Sequence, residues 1–225
     1  MEFPPILVIN LDERTDRWDG IQKNFTKWPV TLERVSAVKA SPGWKGCYKS
    51  HLKCVQIAKE RQYPWVLLIE DDCRVEDTSL ERFQTLLPLL WDHDYDIFNG
   101  GPSYISDITK VQSEPPLYKI KGYAAHFSLI KQNAYDKILN FQEKEIDVLY
   151  SENLQMICTY PRLAIQEAGW SDIIENETNY LGVFETSDAA LLKEGFQDTS
   201  ANTFSFTFAM VCLVIVLGIQ LTNKG

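Results

Sequence analysis

A chain of 225 residues holds one ordinary α/β domain and is short for two, so a single sizeable core is expected. Its 31 acidic against 22 basic residues leave a net charge of -9, which repels a phosphate backbone, and no basic patch offsets it for nucleic-acid binding. With 45% apolar and 12% aromatic residues the bulk of the chain is not disordered, and five cysteines (Cys47, Cys54, Cys73, Cys158, Cys212) without CxxC spacing argue against a disulfide scaffold or zinc ribbon and read as reduced, buried thiols.

The front, Met1 to Pro5, has no basic segment or long apolar run, so no secretory signal is expected. Pro5 to Leu11 is an apolar run ending in Asn10-Leu11-Asp12, the pattern of an inner strand. A helix follows, with Thr15 as its cap and Trp18, Ile21 and Phe25 on one face before Pro29. Thr31 to Val38 is a second strand, and Ser41-Pro42-Gly43 marks a loop. Ser50 caps a helix running to about Gln62, with Leu52, Val55 and Ala58 inward.

Trp65 to Ile69 is a buried strand that runs straight into Glu70-Asp71-Asp72. Thr78-Ser79-Leu80-Glu81 is a capping-box pattern opening a helix whose apolar stripe is Leu80, Phe83, Leu87 and Leu90. Asp96 to Asn99 reads as a strand closed by Gly100-Gly101, Tyr123 to Ile130 as another strand, Asn133 to Phe141 as a short helix and Val148 to Ile157 as a further helix. This βαβ rhythm predicts an α/β fold, a mostly parallel, doubly wound sheet with helices on both faces and a ligand crevice at the carboxyl ends of the strands.

Residues 187–203 are polar and rich in small side chains, a linker in character. Phe204 to Leu221 is uncharged, and as a helix it would span roughly 27 Å, enough for a thin bilayer. A buried core helix is the alternative, but the run has no polar face, so a C-terminal transmembrane helix is expected. The organisation is then a domain over 1–186, a linker over 187–203 and an anchor over 204–221, tail-anchored, with residues 1 to 190 on the cytosolic side.

Three consecutive carboxylates after a buried strand are costly unless a cation sits among them. In extended backbone Glu70 and Asp72 point to one side and can address a single Mg²⁺ or Mn²⁺, ions that commonly hold nucleotide phosphates. The other reading is a solvated acidic turn that caps the next helix.

Here the residues carry a resemblance. Val8-Ile9-Asn10-Leu11-Asp12 with Arg14, Asp16 and Arg17, then Gly46-Cys47 with Ser50-His51, then Leu67-Leu68-Ile69-Glu70-Asp71-Asp72 resemble, in order, the motifs of glycosyltransferase family 25. The likeness continues through Tyr123 to Leu139, Ile146-Asp147 and Ser171-Asp172, covering roughly residues 5–175. It implies a GT-A-like fold and metal-dependent, inverting transfer of a hexose, galactose or glucose, from a nucleotide-diphosphate sugar, a UDP-sugar first, to a hydroxyl acceptor on a glycan, lipid-linked saccharide or protein. Glu70 and Asp72 would hold Mn²⁺ (or Mg²⁺), with Asp72 the direct ligand.

Under the same resemblance Asp147 or Asp172 is the carboxylate base, Asp147 ranked first. Asn10 and Asp12 would meet the base or ribose of the donor, and Arg14 or Arg17 its phosphates. The alternative for the arginines is salt bridging with Asp12, Asp16 or Asp19. Ser50 and His51 are donor-site or acceptor-site hydrogen bonders, or else structural, while Cys47 is assigned to packing and Gly100-Gly101 to a tight turn.

Two departures stand out. The segment Val38 to Lys45 is shorter than in many family members, and Asn133-Ala134 stands where glycine often precedes alanine. A catalytically silent, membrane-tethered interaction protein is therefore the second reading. A nucleotidyl or phosphoryl transferase is the third, and no Gly-x-x-x-x-Gly-Lys loop supports it.

Overall fold

Strand β1 (Ile6–Asn10) is buried at every position, as a central strand covered on both faces must be. It leads through helix α1 (Thr15–Asn24) to β2 (Leu32–Ser36), then through α2 (Gly43–Glu60) to β3 (Trp65–Glu70), and both β2 and β3 lie parallel to β1. After β4 (Cys73–Val75) and α3 (Ser79–Asp92) come β5 (Ile97–Asn99), the long hairpin of β6 (Ser103–Ser113) and β7 (Pro116–Tyr123), and β8 (Phe127–Lys131). Helices α4 (Gln132–Leu139) and α5 (Ile146–Asn153) precede β9 (Met156–Thr159), β10 (Ala164–Gln166), β11 (Gly169–Ser171) and β12 (Asn176–Thr178). This computed structural model describes residues 2–171, 176–178 and 189–193. The chain divides into units 1–195 and 196–225, and the second lies outside the described residues.

The main sheet has the order β2-β1-β3-β8-β5-β9-β7-β6. Strands β1, β2, β3, β5 and β9 run together, so the sheet is mostly parallel in direction, with β8 wedged antiparallel between β3 and β5 and β7 antiparallel to β9. Period-two alternation sends successive side chains to opposite faces. Ile6, Val8, Trp65, Leu67, Ile69, Phe127 and Leu129 join one core cluster with Ile21 of α1, Phe25 at its C-cap, and Phe83, Leu87 and Leu90 of α3. Leu7, Ile9, Val66, Leu68 and Ile130 join the other, with Val55 of α2, Ala134 and Ile138 of α4 and Leu149 of α5. Helices therefore cover both faces, as expected.

Several local expectations are corrected. The helix expected over Val148 to Ile157 ends at Asn153, and Met156–Thr159 is instead an inner strand with every residue buried. A short apolar run carries no period by which a helix turn is told from a strand. The strand expected over Tyr123 to Ile130 is split, Tyr123 ending β7 and Phe127 opening β8. The β6–β7 hairpin was not anticipated, because β6 is largely exposed and shows no apolar signature.

Thr15 is the first helical residue rather than a cap, since the N-cap is Arg14 and makes no side-chain capping bond. Helix α2 starts at Gly43, which puts Ser50 inside it, where its hydroxyl donates to the Gly46 carbonyl (2.7 Å) and accepts the Val38 N–H (2.7 Å). Thr78 is an N-cap without a side-chain bond. The Ser79 hydroxyl accepts the Glu76 N–H at 3.1 Å and donates to the Leu163 carbonyl at 2.6 Å, so its bonds serve tertiary packing instead of a capping box.

Among the described residues no helix is long and apolar enough to cross a membrane. The expected span 204–221 lies outside them, as does most of 187–203. Residues 189–193 are helical, and Leu191 is buried in the cluster that α2, α4 and α5 build.

Candidate active site

The parallel register sets Ile9 opposite Glu70, so the ends of β1 and β3 open at the same edge of the sheet. There Asn10 is almost wholly buried and bonded on every side. Its Nδ2 donates to Asp71 Oδ2 (2.6 Å) and to the Arg14 carbonyl (3.0 Å), and its Oδ1 accepts Arg34 Nε (2.7 Å). Arg34 Nη2 also donates to the carbonyls of Leu11 and Asp12, each at 3.1 Å. Asn10 is thus the clasp between the strand ends rather than a group facing open space, and Asp12 stands exposed at the rim.

Arg14 grips Asp16 with two bonds (3.0 and 2.9 Å), and that pairing holds the Asp16 carboxyl down at about 2. Arg17 Nη1 donates to Asp71 Oδ1 at 2.9 Å and lies 3.8 Å from Asp72 Oδ2. Of the ion pairs foreseen as the alternative role of these arginines, Arg14–Asp16 is formed, while Arg17 pairs with Asp71 and Asp72, which were not among the expected partners. Asp71, the carboxylate not assigned to an ion, is the arginine anchor; burial pushes its carboxyl up, while Arg17 and Asn10 pull against that. Arg14, Asp16, Arg17, Asp72, Arg74, Glu167 and Ala168 line a cleft of about 180 Å³, so three guanidinium groups surround one end of the acidic triplet.

Asp72 is the unbalanced member. Its Oδ2 accepts Gln166 Nε2 at 3.0 Å, while its Oδ1 is buried with no hydrogen-bond partner among the described residues. Burial first, then the like charges of Glu70 and Asp71, push this carboxyl up to about 7. A buried oxygen left unmatched costs on the order of 1–3 kcal/mol.

Glu70 is handled differently. Its Oε1 sits 3.0 Å from His51 Nε2 and 3.8 Å from Cys47 Sγ, and His51 Nδ1 is 3.1 Å from the Tyr150 hydroxyl. Burial pushes the Glu70 carboxyl up, but the His51 bond and charge outweigh it and leave it below the usual range. Cys47 and His51 stand four residues apart on one face of α2, which aims both at the end of β3.

Asp147 lies in the first turn of α5, accepts the Val148 N–H at 2.9 Å, and is pushed up by burial with a further contribution from Glu70. The Cys47 thiol is likewise raised, by burial first and then by Glu70, Asp147 and Asp72. The fold thus gathers Cys47, His51, Glu70, Asp72 and Asp147 into one electrostatic neighbourhood. Of the residues expected at the site, Ser50 is spent on backbone bonds within its own segment, and Asp172 lies outside the described residues.

Sequence reasoning missed Cys47, Tyr150, Gln166 and His126. His126 is fully buried and held down at about 4 by that burial. Of these, Cys47 had a signal, the i, i+4 spacing to His51. Gly100 and Gly101 are packing necessities more than turn residues. A Cβ on Gly100 would lie 2.3 Å from Phe127 Cδ1, and one on Gly101 would lie 2.4 Å from the Ala164 carbonyl and 2.5 Å from His126 Nε2.

No family model matches this chain, and no curated protein matches it. Among solved structures it is similar to A197 from STIV, with a TM-score of 0.49, 12% identity, and coverage of 91% of this chain and 100% of that one. It is also similar to a glycosyltransferase involved in the glycosylation of the major capsid of PBCV-1 (TM-score 0.41, 12% identity, 71% of this chain and 83% of that one). A third similar structure is mannose-1-phosphate geranyltransferase from Thermus thermophilus, with a TM-score of 0.45, 9% identity, and coverage of 72% of this chain and 75% of that one.

Proposed function

We propose that this chain is a nucleotide-sugar-dependent glycosyltransferase that moves galactose or glucose, with inversion, from a UDP-sugar to a hydroxyl acceptor on a glycan, lipid-linked saccharide or protein. The observation that carries the reading is the buried, unmatched Oδ1 of Asp72 beside an arginine-lined cleft at the strand ends. An excess of carboxylates next to guanidinium groups suits a diphosphate bound together with a divalent cation.

The residues fit such an ion, Mn²⁺ or Mg²⁺, through Asp72 as direct ligand; Glu70, the expected second ligand, is already engaged by His51 and does not line the cleft. The ion would supply charge neutralisation for the departing diphosphate. Arg14, Arg17 and Arg74 draw the phosphates into the cleft, and Asn10 keeps β1 and β3 in register beneath them. Asp147, whose proton affinity burial raises, takes the proton from the acceptor hydroxyl; Asp172 is the other candidate for that task.

A specific observation favours the second reading, a catalytically silent, membrane-tethered interaction protein: Arg17 already supplies Asp71 and Asp72 with an internal cation. Thermal shift separates the two. UDP with Mn²⁺ should raise the melting temperature more than GDP or CMP does, by the equivalent of about 2.7 kcal/mol at a hundredfold excess over Kd. No shift with any of the three nucleotides would leave the silent reading. Release of free sugar from UDP-sugars with Mn²⁺ tests the reaction itself, since a nucleotidyltransferase would leave the sugar attached.

The proposal includes the address: the run 204–221 holds a cytosolic transferase domain, residues 1–186, to a membrane through 187–203. Deleting residues 200–225 should move the protein from the membrane fraction to the soluble one with its melting transition intact. A truncated chain that no longer folds would assign the run to a core instead.

A further inference from the structure

We infer that Cys47, His51 and Glu70 form a second cation site, one for a borderline-soft divalent ion of the zinc class, separate from the diphosphate cleft. One thiol sulfur, one imidazole nitrogen and one carboxylate oxygen lie within 4.8 Å of one another, and no ion is needed to bring them together. A tetrahedral zinc centre with ordinary bond lengths separates a sulfur from an oxygen ligand by about 3.6 Å and a nitrogen from an oxygen ligand by about 3.4 Å. Here the corresponding separations are 3.8 Å for Cys47 Sγ to Glu70 Oε1 and 3.0 Å for His51 Nε2 to Glu70 Oε1. Shifts of a few tenths of an ångström bring these two separations to the values of a zinc centre.

Two further features suit an ion here. His51 is fully buried, and its Nδ1 lies 3.1 Å from the Tyr150 hydroxyl, the outer partner that orients a metal-bound imidazole. On binding, the Cys47 thiol releases its proton to solvent. His51 would ligate through Nε2 in the tautomer whose Nδ1–H donates a hydrogen bond to the Tyr150 oxygen. The carboxyl groups of Asp72 and Asp147 also bear on this thiol and disfavour its thiolate, an effect that a bound cation would offset. A thiolate among the ligands selects zinc-class ions over Mg²⁺ or Mn²⁺. Three protein ligands leave a fourth position for water, in the arrangement of an open site.

Glu70 then serves this ion, and Asp72 alone faces the arginine-lined cleft. The site stands whether or not the chain transfers sugar. Titration of the full chain with Co²⁺ tests it. A near-ultraviolet thiolate-to-cobalt charge-transfer band, saturating at a single ion per chain and displaced by Zn²⁺, is the expected result. The band should vanish in Cys47→Ser and persist in Cys54→Ser, a buried thiol on the same helix. Absence of the band in the unmodified chain, or its survival in Cys47→Ser, overturns the inference. Neither outcome depends on UDP-sugar turnover, so the failure of one proposal is distinguishable from the failure of the other.

Discussion

Asp72→Asn is expected to lower sugar release from a UDP-sugar by about 10²–10³-fold, the scale seen when a group that stabilises developing charge is removed. The isostere keeps the side-chain volume and the contact with Gln166 but cannot supply an anionic oxygen. Without added metal the same variant should melt no lower than the parent, and higher by on the order of 1 kcal/mol, because a buried carboxylate crowded by Glu70 and Asp71 becomes neutral. The pairing of these two effects makes the test sharp. Lost turnover with retained or raised stability marks a group held under electrostatic strain for function. Loss of both together would mean that Asp72 merely supports the fold, and unchanged turnover would sink the transferase reading.

Phe127→Ala should cost about 4 kcal/mol of stability, which for a domain of this size lowers the melting temperature by roughly 8–16 °C. Phe127 is fully buried in β8, between β3 and β5, and its ring meets those of Phe83 (5.5 Å) and Trp28 (6.1 Å). The close approach of Gly100 leaves the backbone little room to collapse into the hole. Activity should fall as well, since His126 next to it accepts the Glu70 N–H through its carbonyl and so helps place the end of β3. Calorimetry of the variant checks this, and a cost below about 1 kcal/mol would mean that the aromatic cluster is not the keystone of that face.

What could be read in advance follows the strength of local patterning. Ile6 to Ile9 and Trp65 to Ile69 are unbroken apolar runs, and both fold within inner strands, Ile6–Asn10 and Trp65–Glu70, near the expected bounds. Helix α3 keeps its apolar stripe, with Phe83, Leu87 and Leu90 buried, even though its capping pattern is not used. Met156–Thr159 departs from the expected helix because its apolar stretch is too short to show a period; its partner strands, distant in sequence, make it a strand. The reversal of β8 and the β6–β7 hairpin have the same origin, for strand direction depends on pairing and leaves no mark on a single segment.

The site divides along the same line. The sequence by itself determined that a carboxylate triplet follows a buried strand, a matter of order along the chain; that Cys47 and His51 share one helix face came from the structure, because the helix begins at Gly43 rather than at Ser50. Only the tertiary structure decided what each of those groups faces: Asn10 and Arg17 against Asp71, His51 and Cys47 against Glu70, and no hydrogen-bond donor among the described residues against one oxygen of Asp72. The physical reason is that a carboxylate's role is set by burial and by the charges around it, and those come from segments up to about a hundred residues away, such as Tyr150 and Gln166.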